Sequence, residues 1–345
     1  MASKNKSASK NTKEKNAVLE IISGVVICIA NIVATVAFFM GIISFKGESI
    51  SMFSAVSMVL SIFELGGASN TYDAIAEIVI GVFYIVFLIK AIITIPKFFK
   101  YMISILKPKT TRADLKSTLS QAMKGYYANI ARQFILLVVS AIVGSMYFTS
   151  TSLIYFSVGL AIFLFGYIVR LRLISNGVMD YMIGIANAVL YLFGLFSALY
   201  YSCTPAVQAC YQNLMALKDI DLEINFKSFF IISYSYFIEN ILFVVITVIV
   251  LYSFKNMFSD TTESDIYFFE SKGASKKIVT LSCIMLACRN VINIYLQSDG
   301  YVNTNDAFAV LKYVFAANRF DLIPLLIVGI CMMLITSYDT SGKKN

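Results

Sequence analysis

Long apolar segments recur along most of the chain and are separated by short polar connections. A transmembrane helix needs about 20 consecutive apolar residues, and in lipid its backbone N–H and C=O groups must find partners within the protein. The pattern therefore predicts an all-α fold, a polytopic transmembrane helical bundle of about eight spans with short interfacial amphipathic helices. The predicted spans are residues 20–45, 74–96, 133–150, 153–170, 182–202, 229–253, 278–297 and 322–337.

Short polar tails flank this bundle. Residues 1–16 form a basic tail, residues 17–337 the transmembrane bundle, and residues 338–345 a C-terminal tail. The first tail resembles the basic flank of a signal peptide, but the apolar run behind it exceeds the roughly 7–15 residues of a signal-peptide core. We therefore predict that this run is retained as the first span.

Lysine and arginine are concentrated in alternate connections between the predicted spans. Cytoplasmic connections of membrane proteins carry an excess of these residues. If the N-terminus is inside, most of the 28 basic residues fall on the inner side. We therefore predict an integral protein of the plasma (cytoplasmic) membrane with both termini in the cytoplasm. Residues 50–63 are short and amphipathic, and we predict an interfacial or re-entrant helix on the outer face rather than a further span.

Residues 97–132 form the most basic inner segment, with Asp114 as their single acidic residue. Residues 111–114 look like a capping box that starts a helix. An apolar stripe at spacings of three and four then follows: Leu115, Leu119, Met123, Tyr126 and Ile130. Such a helix can lie on an anionic inner leaflet. The candidates for headgroup binding are Lys107, Lys109, Arg112, Lys116 and Lys124. The alternative is that this charge only sets the topology.

Four charged positions matter within the predicted spans, where a charge is costly and often marks function. Lys90 and Glu77 lie near opposite ends of span 2. Glu239 in span 6 and Arg289 in span 7 lie at similar depths, and one connection joins their spans, so we predict that the two charges meet. The substrate-pathway candidates are Glu239, Arg289, Asn240, Asn293, Glu77 and Tyr236. The alternative is a structural ion pair that holds two helices together.

Polar and small residues in spans 1 and 5 allow a simpler explanation than a pathway. Asn31 and Thr35 in span 1, with Asn187 and Tyr191 in span 5, can line a polar wall or serve as helix-packing contacts. Spans 1–4 and 5–8 also share a rhythm of connection lengths, with a glutamate early in the second span of each half. This rhythm predicts two related halves, arranged as parallel repeats.

The amino-acid composition argues against several classes of catalytic and metal-binding site. The chain has 59% hydrophobic and 14% charged residues and no histidine, the usual acid–base group and the commonest metal ligand. We therefore expect no enzyme activity, no metal and no cofactor. Cys203 and Cys210 flank a short predicted outer loop and form a possible disulfide; the alternative is two unpaired thiols.

Together these patterns predict an integral membrane transporter or channel-like protein for a small solute or ion, with its polar centre in spans 6 and 7. The alternative is a non-catalytic membrane subunit or scaffold of a larger membrane complex. The expected partners are the lipid bilayer, with anionic lipid at the inner face, and protein partners in such a complex. No recognised nucleic-acid-binding motif accompanies the basic charge, so nucleic acid is not an expected partner.

Overall fold

A computed structural model describes most of the chain. The described residues are 2–40, 43–45, 48–51, 54, 56–57, 60, 71–107, 112–142, 146–147, 150–174, 177–216, 226–255, 273–296 and 302–342. Nearly all of them are helical, which confirms the all-α class. They divide into two compact units, the first extending to Ala186 and the second beginning at Asn187. This boundary lies close to the one between the two predicted halves, although the repeat itself stays a prediction.

The first unit is built around its N-terminal helix. The helices are α1 (Ala2–Val36), α2 (Thr71–Leu106), α3 (Arg112–Ile142) and α4 (Ser150–Ile174). The helix α1 contacts each of the other three, and α4 most extensively. Gly166 permits the close approach of α4, since a Cβ there would lie 2.9 Å from the Ile27 side chain and 3.4 Å from its backbone nitrogen.

A small antiparallel sheet follows α1. Strand β1 (Ile43–Phe45) pairs with β2 (Glu48–Ile50) on one side and with β3 (Met146–Tyr147) on the other. The Tyr84 hydroxyl on α2 donates a 2.8 Å hydrogen bond to the Ile50 carbonyl and ties the sheet to the helices. The sequence analysis did not predict this sheet. It replaces the end of the first predicted span, because α1 ends at Val36 and a 3-10 turn follows.

The second unit contains helices interrupted by wider π-helical turns. The helix α5 (Val178–Phe196), which begins in the first unit, continues through π1 (Ser197–Cys203) into α6 (Thr204–Ala216). The helix α7 (Phe226–Ile232) continues through π2 (Ser233–Ile238) into α8 (Glu239–Lys255). The helix α9 (Ala274–Val291) ends in π3 (Ile292–Leu296), and α10 (Ala307–Asn318) and α11 (Leu322–Gly342) follow.

Packing in the second unit brings α8 and α9 together. The helix α8 contacts π1, α6 and α9, while α9 contacts α11 over a long stretch. Gly329 on α11 allows that contact, since a Cβ there would lie 2.8 Å from the Val279 side chain. Small residues lie at the packing surfaces of this unit: Ala188, Ala198 and Ser202 are buried.

Six segments of the described chain are long and apolar enough to cross a membrane. They are Ala17–Val36, Glu77–Leu106, Ile154–Leu173, Tyr181–Cys210, Phe226–Ser253 and Ala274–Leu296. A seventh is obtained if α10 and α11, which meet at an 89° bend, are counted as one broken span. The protein is therefore a multi-pass membrane protein, with six or seven such segments rather than eight.

Two predicted spans account for the difference: residues 322–337 count only together with α10, as the broken span, and residues 133–150 do not count at all. Only residues 133–142 of the latter continue α3, and the next described residues form β3. Ten helical residues cover about 15 Å, half of the hydrocarbon thickness of about 30 Å. The earlier turns of α3 are too polar to extend the apolar segment.

The predicted amphipathic helices have different outcomes. One short amphipathic helix of the predicted kind is α10 (Ala307–Asn318), whose N-cap Asp306 accepts a 2.9 Å hydrogen bond from the Phe308 backbone N–H. The helix predicted to start at residues 111–114 begins at Arg112. The predicted segment 50–63 lies mostly outside the described residues.

Candidate functional site

Each charge of the predicted pair lies where an α-helix meets a π-helical segment. Glu239 is the first residue of α8, directly after π2, and Arg289 lies in the last turn of α9, just before π3. Such π-helical turns occur frequently at functional sites, because they shift the register of the side chains around the helix. The Tyr234 hydroxyl in π2 donates a 3.2 Å hydrogen bond to the Met285 carbonyl, one turn before Arg289. This bond fixes π2 against α9 beside the pair.

The side chains of Glu239 and Arg289 are in direct contact. The Arg289 Nε donates a 2.5 Å hydrogen bond to Oε1 of Glu239, and its Nη2 contacts the same oxygen. The Phe243 ring lies one turn further along α8, with its centroid 5.4 Å from the guanidinium carbon. The structure confirms the predicted contact. The role of the pair in a solute pathway stays a prediction.

Two further residues complete what we call the Arg289 cluster: Glu239, Arg289, Asn318 and Asp321. The Arg289 Nη1 donates to Oδ2 of Asp321 at 2.6 Å and to Oδ1 of Asn318 at 3.0 Å. Asn318 is the last residue of α10, and Asp321 lies directly before α11, so both belong to the 89° bend. The cluster therefore joins α8, α9 and the bend between α10 and α11.

Sequence reasoning missed Asp321 and Asn318, although two signals pointed to them. A guanidinium offers more N–H donors than one carboxylate can accept, so a buried arginine calls for additional acceptors. Asp321 is also the acidic residue that directly precedes the last apolar segment. Asn318 is fully buried, and its Nδ2 donates to the Val314 carbonyl at 2.8 Å and to Oδ1 of Asn290 at 3.5 Å.

The Arg289 cluster carries excess negative charge. Two carboxylates face one guanidinium, so the formal charge is −1 when all three groups are ionised. The side chains of Glu239, Arg289 and Asp321 remain 11%, 16% and 19% exposed, which leaves the cluster open at its edge. A cluster with these properties can attract a positive charge that reaches it.

The other predicted pathway residues are more loosely related to the cluster. The Asn240 Nδ2 donates a 2.9 Å hydrogen bond to the Tyr236 carbonyl, which also accepts 3.2 Å from Nδ2 of Asn213. Asn240 thus satisfies the backbone of π2. Asn293 is half-buried in π3, and Glu77 is half-buried at the start of an apolar segment of the first unit.

A second polar cluster lies in the first unit and joins α1 to α3. The Asn31 Nδ2 donates to the carbonyls of Ile27 at 2.9 Å and Ala122 at 2.8 Å. The Asn129 Nδ2 lies 3.3 Å from Oγ1 of Thr35, and Oδ1 of Asn129 accepts 3.0 Å from Arg132. Burial lowers the pKa of Arg132. Asn31 and Thr35 therefore serve as helix-packing contacts, the simpler of the two explanations.

The apolar stripe of α3 faces protein rather than lipid. Leu119, Met123, Tyr126 and Ile130 are buried. The Tyr126 ring stacks on Phe163 of α4 with centroids 4.3 Å apart. The stripe was correctly predicted as one helical face, but the expectation that it lies on the inner leaflet is wrong for these four residues.

The basic candidates for headgroup binding are only partly described. Lys107 and Lys124 are exposed. Arg112 and Lys116 lie in the first turns of α3, with side chains outside the described part, and Lys109 lies outside the described residues altogether. Their contact with lipid headgroups stays a prediction.

The possible disulfide between Cys203 and Cys210 is absent, since both cysteines are unpaired. The segment predicted as a loop is continuous helix from π1 into α6. Seven residues of helix separate the two Cα atoms by about 10 Å along the axis, whereas a disulfide needs about 4.4–6.8 Å. The prediction was therefore wrong, and the alternative of two unpaired thiols is correct for this structure.

The chain matches no protein-family model, no curated protein and no solved structure.

Proposed function

We propose that this multi-pass membrane protein moves a small cationic solute or ion across the membrane, with the Arg289 cluster as its polar centre. The observation that carries the proposal is the arrangement of two carboxylates around one guanidinium at a bend between helices. Its excess negative charge favours a positively charged solute over an anion.

The energetics of membrane helices support a role beyond holding helices together. A charged residue in the middle of a span costs at least about 2.5 kcal/mol. Hydrogen bonds between membrane helices return only about 0.6 kcal/mol on average. A purely structural contact could therefore use neutral side chains at lower cost.

Interrupted helices also support this proposal. Binding sites in transporters are typically formed by discontinuous helices, whose non-helical backbone is tolerated where it faces protein or a water-filled cavity. The cluster lies at three interruptions: π2, π3 and the bend between α10 and α11.

The membrane and the orientation belong to the same proposal. We infer the cytoplasmic membrane, with both termini and residues 97–132 inside, from the distribution of basic residues. A single cysteine placed at position 112 of a cysteine-free variant should react with an impermeant maleimide in inverted vesicles and stay unmodified in intact cells. Modification in intact cells would refute this orientation.

Transport can be tested with the full chain in liposomes. K⁺, Na⁺ and H⁺ gradients are imposed in turn, and flux is followed with a cation-sensitive or pH-sensitive dye inside the liposomes. We expect flux of at least one cation, and a strong reduction in the Asp321→Asn variant, because the cluster then loses its excess charge. Asp306→Asn is the matched control, since it removes an exposed carboxylate while asparagine keeps the N-cap of α10.

The alternative function, a non-catalytic membrane subunit, also has an observation in its favour. Three apolar residues of α10 are exposed along one side of the helix: Phe308, Leu311 and Phe315. Such a face suits either lipid or a partner helix. Full flux in the Asp321→Asn variant, or a chain that purifies only with a second protein and carries no cation, would favour the subunit over the transporter.

A further inference from the structure

Two serine hydroxyls of the second unit are fully buried and have no hydrogen-bond partner among the described residues. They are Oγ of Ser282 on α9 and Oγ of Ser253 on α8. Buried polar atoms of folded proteins almost always have a partner, so each exception needs an explanation. A helical serine can donate to the carbonyl four residues earlier, but neither of these two does. Both hydroxyls are therefore free to contact a ligand.

Each of these hydroxyls lies on the helix face that carries one charge of the ion pair. Ser282 precedes Arg289 by seven residues, which is about 20° short of two full turns and about 10 Å along the axis of α9. Ser253 follows Glu239 by 14 residues, nearly four turns and about 21 Å along α8. The two serines thus continue the same faces away from the Arg289 cluster.

The side chains on either side of Ser282 along this face are closely packed. Ile278, one turn earlier, and Met285, one turn later, are both fully buried. Protein interiors are as dense as organic crystals, so a large organic cation could pass only if the helices opened widely. The Tyr234 hydroxyl, bonded to the Met285 carbonyl, adds a polar atom between the levels of Ser282 and Arg289. This face therefore suits a small ion.

We propose that Ser282 is the next contact of the solute after the Arg289 cluster, and that the solute is a monatomic monovalent cation such as Na⁺ or K⁺. Ser253 then lies further along the same path, toward the end of α8. The path rests on the proposed function, because Ser282 has a cation to receive only if the cluster attracts one. In the proposed orientation, Ser253 lies toward the cytoplasmic side of the membrane.

The chemistry of a hydroxyl group suits this position. Its oxygen lone pairs can replace part of the hydration shell of a cation, as carbonyl oxygens do in ion filters. Conduction requires contacts that are strong enough to admit the ion and weak enough to release it. Glu239 and Asp321 supply the strong, charged contacts, whereas neutral Ser282 holds a cation more weakly. A cation drawn to the carboxylates can therefore leave them along the hydroxyls.

Ser202 provides a matched control in the same unit. It is also buried, but its hydroxyl donates a 3.1 Å hydrogen bond to the Ser197 carbonyl. In liposomes, Ser282→Ala should lower Na⁺ or K⁺ flux by about tenfold, the effect of one lost contact to a charged group. Its unfolding curve should stay unchanged or shift to higher stability, because a buried polar group without a partner is removed. Ser202→Ala should do the opposite, with flux within about twofold and lower stability.

Access of a monatomic cation to the buried position can be measured directly with Ag⁺, which binds thiols. A cysteine-free variant carrying either Ser282→Cys or Ser202→Cys is exposed to Ag⁺ in liposomes. The thiols that remain are labelled with a maleimide in denaturant and counted by mass spectrometry. We expect Ag⁺ to modify the Ser282→Cys variant at least about tenfold faster than the Ser202→Cys variant. Adding Asp321→Asn should slow the reaction at position 282, because the cluster then attracts cations less strongly.

Failure of this path is distinguishable from failure of the proposed function. Wild-type flux that is unchanged in Ser282→Ala, or equal Ag⁺ reaction at positions 282 and 202, would overturn the path and leave transport by the cluster standing. Flux of H⁺ alone would do the same, as would uptake of radiolabelled tetramethylammonium as fast as that of Na⁺ and K⁺. A loss of stability in Ser282→Ala as large as in Ser202→Ala would show a structural hydroxyl instead. If the unaltered chain moves no cation, both proposals are wrong.

Discussion

The Arg289 cluster predicts an asymmetry between the two ends of the ion pair. Glu239→Gln leaves Arg289 in contact with Asp321 and Asn318, so the guanidinium keeps a counter-charge. Arg289→Gln instead leaves two carboxylates facing the same space with no cation between them. Removal of one partner of a buried ion pair commonly costs about 3–5 kcal/mol. We expect Arg289→Gln to reach that range and Glu239→Gln to cost about 1.5–3 kcal/mol, the range of a hydrogen bond to a charged group.

The double variant separates pairing from independent effects. When both residues are replaced, Asp321 is the charge of the cluster that is left without a partner. The loss in the free energy of unfolding should therefore be smaller than the sum of the losses in the two single variants. Coupling energies of residues in one network are about 0.5–3 kcal/mol. We expect a value in the upper half of this range, because Nε and Nη2 of Arg289 both contact Glu239.

The free energy of unfolding is measured in mixed micelles with an increasing fraction of denaturing detergent, with helicity followed by circular dichroism. Asp306→Asn again serves as the control and should leave the unfolding curve nearly unchanged. A cost for Arg289→Gln no larger than that for Glu239→Gln would refute the asymmetry. Strict additivity of the two single effects would refute the pairing itself.

Three further outcomes follow from the packing. Gly329→Ala should destabilise the protein by about 1–3 kcal/mol, the usual cost of overpacking. Gly177→Ala should have little effect, since no atom of the described residues lies within 4 Å of its added Cβ. Equal unfolding curves for the two variants would contradict this. Tyr234→Phe should lower the free energy of unfolding by about 1 kcal/mol through the lost hydrogen bond, and no change would show that this bond does not hold π2. Under native conditions a small maleimide should modify half-buried Cys210 faster than fully buried Cys203 by mass spectrometry, and a mass difference on reduction would instead restore the disulfide.

The contact between Glu239 and Arg289 could be predicted from the sequence because two general rules apply to these residues. A charge in an apolar run needs a partner, and two spans joined by one connection are often neighbours. No such rule predicts that Asp321 contacts Arg289. It precedes an apolar segment, as ordinary connection residues do, and only the bend between α10 and α11 brings it to the guanidinium.

The segment around Pro205 shows how a local signal can mislead. Proline after threonine suggested a loop, yet the chain stays helical through Thr204 and into α6. The Thr204 hydroxyl donates a 2.7 Å hydrogen bond to the Leu199 carbonyl, which also accepts from the Thr204 backbone N–H, so the helix continues through the residue before the proline. Pro205 is the second residue of α6, and a proline in the first turn of an α-helix costs little. The disulfide prediction failed with the loop on which it depended.

Periodicity likewise identified which residues share one face of α3, but it did not identify what packs against that face. A repeat of three and four residues shows that Met123, Tyr126 and Ile130 share one side of a helix. It is equally compatible with lipid and with protein on that side. The partner here is the protein, because α1 packs along α3 and Phe163 of α4 stacks on Tyr126.

The two polar clusters of the chain offer an internal comparison for the proposed function. In the first unit, helices α1 and α3 are joined mainly through neutral amide and hydroxyl groups of Asn31, Thr35 and Asn129. These three residues carry no formal charge, and the one ion that contacts them in the described bonds, Arg132, donates to Oδ1 of Asn129 from α3 itself. In the second unit a similar task would need no more than Asn318 and Asn290, yet Glu239, Arg289 and Asp321 add three charges with a net of −1. Because the same chain joins helices mainly through neutral groups elsewhere, the excess charge supports the proposal that the Arg289 cluster attracts a cationic solute.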